Sequence, residues 1–177
     1  MPTALERQFV RLERQRAALF ERLGRMSDAQ QTFRPGPDTW SVADVVQHLV
    51  LVEEAMVRNG RRQSATRPAW VTVPSWLRGQ LMLRVLGTDV RVRAPSPAVI
   101  PRTHVPVADL ACRWAAARED LRAYVEGVPE PRRWRTAFFH PRTGWIAALG
   151  GLRFFEAHCE HHLRQIDRLL AVRDFPR

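Results

Sequence analysis

The chain has 177 residues, of which 45% are hydrophobic and 26% charged. That length and balance predict one ordinary globular domain over residues 1–177, burying about 70% of the unfolded chain's surface, and they exclude a disordered chain. The net charge of +10 rests on 28 basic residues that are all arginine, scattered from Arg7 to Arg177, a pattern that reads as coding bias and a solvated basic surface more than as a nucleic-acid interface.

Leu5, Phe9, Leu12, Arg16, Leu19, Phe20 and Leu23 recur at three- and four-residue spacing, so a first helix is expected over residues 4–26. Gly24 and Ser27 end it, and the two prolines and glycine of FRPGPDTW predict a turn-rich connection. The second helix starts at Ser41, which with Asp44 has the spacing of a capping box, and its apolar face comes from Val42, Val45, Val46, Leu49, Val52, Ala55 and Met56. A polar linker through Pro68 leads to a shorter third helix over residues 74–87, with a proline at its start and Gly87 at its end. Four prolines within residues 93–106 predict an extended crossover outside the core. The fourth helix is expected over 107–126, with Leu110, Trp114, Ala117, Leu121 and Val125 in register, and Gly127 and Pro129 close it. After a loop holding Pro131, Pro141 and Gly144, a last helix over 145–172 carries Leu152, Phe155, Cys159, Leu163, Ile166 and Leu170 on one stripe. No segment alternates convincingly over more than four residues, so strands are not expected. The fold class is all-α: a four-helix bundle with one long crossover and a short extra helix.

Cys112 and Cys159 make no disulfide framework, and the start MPTALERQFVRLERQR has no apolar leader core. No run approaches the roughly 18 apolar residues of a membrane span. A cytoplasmic protein with no membrane partner is therefore expected. The clusters Arg61-Arg62 and Arg132-Arg133-Arg135 lack the aromatic interleaving of a single-strand platform, so nucleic acid is not an expected partner either.

Chemistry concentrates in six histidines: His48, His104, His140, His158, His161 and His162. His158 and His162 stand four apart on the last helix and can aim at one point, the i, i+4 spacing of helical metal sites. His161, about 60° from His158 on the other side, competes for the second position. A polar histidine patch near a helix end accounts for the same spacing, because protonated imidazole interacts well with the dipole. Two ligands do not complete a tetrahedral site. His48 is the best third candidate, since it lies between Val45, Leu49 and Val52 and needs a polar partner in the interior. His104 has no neighbour in sequence that suggests a role.

Two segments carry a resemblance to one family. RPGPDTWSVADVVQHLVLVE, residues 34–53, resembles the DinB-like, YfiT-like metalloenzymes, in which a proline-rich turn leads to Trp-Ser and then to a histidine seven residues after the serine. HPRTGWIAALGGLRFFEAHCEHHLRQIDRL, residues 140–169, resembles the last helix of that family, where a His-Pro…Gly stretch precedes H-x-x-x-H and a glutamine. The resemblance spans nearly the whole chain in helix order. It implies that the metal ligands are His48, His158 and His162, the set that spacing also proposes.

Three imidazoles without a fourth protein ligand leave the open position of a catalytic site. A divalent transition metal is expected, zinc as the default because it tolerates tetrahedral three-histidine sites, with nickel, iron or copper also suited to imidazole. The resemblance implies transfer of a low-molecular-weight thiol to an electrophile, isomerisation with such a thiol, or hydrolysis by metal-bound water. A non-catalytic metal-stabilised module and a basic nucleic-acid-binding module are the competing readings. Asp44, one turn before His48, and Gln165, three residues after His162, are candidates to accept the second ring N–H of a ligand, or serve only as cap and as bundle support. Arg153 and Arg164 share the ligand-bearing helix and are candidates to pair with a substrate carboxylate, or are solvated surface. His140 lines the mouth of the site or lies exposed in its loop. The partners admitted are a small-molecule substrate and a second copy of the chain in a homodimer.

Overall fold

Thr3 opens the first helix by accepting the Glu6 backbone N–H at 3.1 Å, and the computed structural model, which describes residues 3–90 and 96–177, proceeds from there as a bundle. Its long helices are α1 (Ala4–Leu23), α3 (Val42–Arg62), α5 (Val107–Gly127) and α7 (Ala148–Leu170). The shorter helices are α2 (Asp28–Thr32), α4 (Val73–Leu86) and α6 (Glu130–Arg133). α1 packs on α7, α3 lies against both α5 and α7, and α4 leans on α7. This is the all-α four-helix bundle with an extra helix that the periodicity predicts. No helix among the described residues is long and apolar enough to cross a membrane.

The start of α3 follows the expected capping box. The Ser41 hydroxyl accepts the Asp44 N–H at 3.2 Å, and the Asp44 carboxylate accepts the Ser41 N–H at 2.7 Å. Both residues are buried, so no water replaces a lost bond. Ser41→Ala is expected to lower the unfolding free energy by about 1–2 kcal/mol, measured by denaturant titration; an unchanged midpoint contradicts it.

The apolar core falls into two clusters that occupy opposite halves of the long helices. One gathers Leu12, Met56, Leu121, Phe138, Leu152 and Phe155, and the other Leu19, Val46, Leu110, Trp114, Cys159 and Ile166. Between them lies a polar layer. Arg118 of α5 pairs with Glu53 of α3 at 2.6 Å, both 5% exposed, and the Arg118 Nε stands 3.7 Å from Glu13 of α1. Cys159 is free and buried, its thiol pushed up to about 12 by burial, while Cys112 is free and exposed.

Several expectations are corrected. Residues 138–146 form an antiparallel hairpin of β1 (Phe138–His140) and β2 (Gly144–Ile146), with Phe138 opposite Ile146 and His140 opposite Gly144. Three-residue strands are too short to display alternation, and what fixes the hairpin is tertiary. Phe138 is fully buried beneath α7, where a Cβ on Gly151 would stand 2.2 Å from its ring. Gly144 turns the chain with φ +81°, a region that favours glycine. Because residues 144–146 are in β2, the last helix begins at Ala148 and not at residue 145. α1 ends at Leu23 with Gly24 as its C-cap, short of the expected residue 26, and Ser27 with Gln30 makes a second capping box that starts the unexpected α2. The crossover predicted outside the core contributes to it: a 3-10 turn at Pro97–Val99 buries Val99 against α3. Residues 93–95 of that predicted crossover lie outside the described residues.

Candidate metal centre

His48 on the second turn of α3 and His158 and His162 on α7 converge where these two helices face each other. Their nearest ring nitrogens all lie within 4.8 Å of one another, and each residue is buried. The Nε2 atoms of His158 and His162 are 3.1 Å apart, and the His48 ring lies 5.2 Å from that of His158 and 4.8 Å from that of His162. The ring packing extends outward. Trp40 sits 4.8 Å from His48 and stacks on His162 at 6.3 Å, and Phe154 stacks on His158 at 5.3 Å.

The outer nitrogens fix the tautomers. His48 donates Nδ1–H to the Val99 carbonyl at 2.6 Å, and His162 donates Nδ1–H to the Gln165 amide oxygen at 2.8 Å. A carbonyl oxygen can only accept, so both rings turn an unprotonated Nε2 inward. The Nε2 atoms of His158 and His162 stand within hydrogen-bond distance, so in the metal-free protein the neutral His158 ring donates its Nε2–H to the lone pair of His162. Burial is the main cause that lowers all three basicities. It acts against the Val99 hydrogen bond at His48 and is reinforced at His158 by the neighbouring histidines, and His162 is lowered to about 3. At neutral pH the rings are uncharged, the state in which imidazole ligates a metal.

Gln165 stands where the sequence proposes it. Asp44 does not: it sits at the third position of α3, its carboxylate is held by Ser41 and by Arg34 at 2.9 Å, and the Val99 carbonyl takes the role offered to it. His161 faces the Thr88 carbonyl at 3.2 Å and stands outside the cluster, and His104 is exposed. Arg164 donates to the carbonyls of Leu86 and Thr88 and so braces the end of α4, and Arg153 is exposed beside a second groove.

A cavity of about 310 Å³ opens on the cluster. Val52, Met56, Met82, Leu86 and Phe154 give it apolar walls, and Arg58, Arg62 and Arg142 are its charged residues; no Asp or Glu lines it among the described residues. His140 lines it too. It is buried on β1, lowered to about 4 by burial and then by the Arg142 charge, and its Nδ1 accepts the Arg142 backbone N–H at 3.2 Å, which leaves its proton on Nε2. A groove of about 510 Å³ with Trp70, Trp76 and Trp134 runs behind, sharing His140, Phe154 and Met82 with the cavity. Of these features, Val99, Arg58, Arg62 and Arg142 escape sequence reading. Spacing from His48 on one helix face would have found Arg62, whereas a backbone acceptor leaves no signal at all.

The family model of the DinB superfamily matches residues 11–166. Among solved structures the fold is similar to that of YfiT from Bacillus subtilis, a probable metal-dependent hydrolase with an unusual four-helix bundle topology. The TM-score is 0.54 and the identity 17%, over 94% of this chain and 85% of that one. No curated protein matches the sequence.

Proposed function

The chain belongs to the DinB superfamily, and from that premise we propose that it is a metal-dependent enzyme in which His48, His158 and His162 hold one divalent transition metal and a low-molecular-weight thiol is transferred to an electrophile. The observation that carries the reading is the meeting of three buried, uncharged imidazoles at a cavity that no carboxylate lines among the described residues. The donor set fits such an ion. Tetrahedral zinc with Zn–N of about 2.0–2.1 Å sets its nitrogens about 3.3 Å apart, close to the 3.1 Å between His158 and His162. Zinc suits three nitrogen ligands best, with nickel and iron also accommodated by imidazole.

When bound, the metal supplies a positive charge that holds a thiol as thiolate near pH 7. The chain's own residues do the rest. Val99 and Gln165 hold two ligand rings in one tautomer, and Trp40 and Phe154 cover the rings and exclude water. His140 brings a neutral Nε2–H to the cavity, a donor for charge that develops on the electrophile. Metal-assisted hydrolysis is the second reading, favoured by the likeness to YfiT. Among the described residues the cavity offers no carboxylate as general base, and the hydrogen bond at His140 occupies the nitrogen that would have to act as one, so transfer is preferred.

Titrating cobalt-substituted protein with small thiols tests the choice. Intense sulfur-to-cobalt absorption is expected with at least one thiol and none with its alcohol analogue. Hydrolysis of an ester or amide without any such band selects the second reading.

A further inference from the structure

On α3 the residues that follow His48 along one face form an ordered strip: Val52, Ala55, Asn59 and Arg62, at steps of four and three residues, all of them lining the cavity. Arg58 lines it as well, one turn before Arg62. These two guanidinium groups are like charges at i, i+4, an arrangement that disfavours the helix. Among the described residues neither makes an ion pair. Arg58 has an acidic neighbour four residues back, Glu54, but both Glu54 carboxylate oxygens are taken by Arg113 at 2.7 Å. Arg61, facing away, pairs with Asp120. Arg58 and Arg62 thus bring two guanidinium groups without an ion pair to one cavity wall, and Arg142 of the hairpin lines the same cavity.

We infer that the cavity binds an elongated small molecule whose far end is an oxyanion, a carboxylate or a phosphate monoester, seated on Arg58 and Arg62. The inference rests on the cavity being the substrate site of the function proposed above, and it names that substrate's class. Arg58 follows His48 by ten residues, which is roughly 15 Å of helix axis. Helical side chains lean toward the N-terminus, so the guanidinium reaches back toward the histidines. The ligand therefore spans roughly 10 Å from reacting head to anionic end. Val52, Met56, Met82 and Leu86 border the space between, which suits a neutral, largely apolar body.

Calorimetric titration of chelator-stripped protein with octanoate, octyl phosphate and octan-1-ol reads the anionic end with no metal present. At least one anion is expected to bind ten-fold or more tightly than the alcohol, with a preference that shrinks as salt rises, and the better of the two identifies the oxyanion. In the Arg58→Gln/Arg62→Gln double variant, whose positions are exposed, the anions are expected to bind no better than octan-1-ol, with the affinity for octan-1-ol unchanged. Arg135→Gln, at the tryptophan groove, is expected to keep the preference. Wild-type protein that binds neither anion better than the alcohol, or a preference that survives in the double variant, overturns the inference. A failed cobalt titration alongside a positive result here removes the thiol reading and leaves the anion site standing.

Discussion

Protein purified without chelator or histidine tag is expected to carry one divalent transition metal per chain, and the His162→Ala variant almost none. Removing a ligand from a three-nitrogen site leaves only two donors, and the loss should exceed the 10- to 100-fold that follows removal of an outer partner. Gln165→Ala is expected to fall within that smaller range, because it frees the His162 tautomer without removing a donor. His104→Ala and His161→Ala should retain the metal, since His104 is exposed and His161 is turned to Thr88. Elemental analysis of the four variants decides the assignment, and equal metal in His162→Ala and His104→Ala sinks it. The lowered basicities add a pH signature. Metal-free protein is expected to lose stability as pH falls below the ordinary histidine range, because the unfolded chain takes up protons that the buried rings resist.

Arg118→Met is expected to cost about 3–5 kcal/mol of folding free energy at pH 8. The methionine fills most of the space but leaves the buried Glu53 carboxyl with no cation. Burial already raises the Glu53 pKa against the pull of Arg118. A carboxyl whose folded pKa lies above its unfolded value stabilises the fold when protonated and loses that contribution as pH rises. The deficit of Arg118→Met should therefore shrink between pH 8 and pH 5, and Glu53→Gln/Arg118→Met should recover most of it. Denaturant titration at the two pH values measures this, and a deficit independent of pH contradicts the account.

The long helices were legible because apolar periodicity runs through each, most fully at Ser41 and Asp44, where a cap agrees with it and one residue pair fixes both the start and the phase of α3. The phase then turns His48 inward, and the i, i+4 pair on α7 is equally local, so the cluster could be read before the fold was known. What could not be read depends on allocation between competing partners. Asp44 was close enough to serve either its cap or His48, and the cap won because Ser41 and Arg34 hold both carboxylate oxygens. The hairpin escaped because its strands are stabilised by Phe138 beneath Gly151 and not by any pattern of their own. Among so many arginines, nothing local distinguished Arg58 from Arg113 or Arg61, whose partners come from other helices, while Arg62 was legible only through the helix face it shares with His48.

The hydrogen bond from His48 to Val99 ends on a main-chain carbonyl, which every amino acid possesses. The ring's orientation is therefore inherited through the path of the crossover and not through the identity of any residue in it. Among descendants of this chain, position 99 is free to drift among apolar side chains that fill the same space, and such changes pass without a trace in the centre. A one-residue insertion or deletion within the Pro97–Val99 turn has no such freedom: it moves the acceptor and disorients the ring while every histidine stays in place. Selection on this centre should thus weigh on the length of that segment more heavily than on its composition.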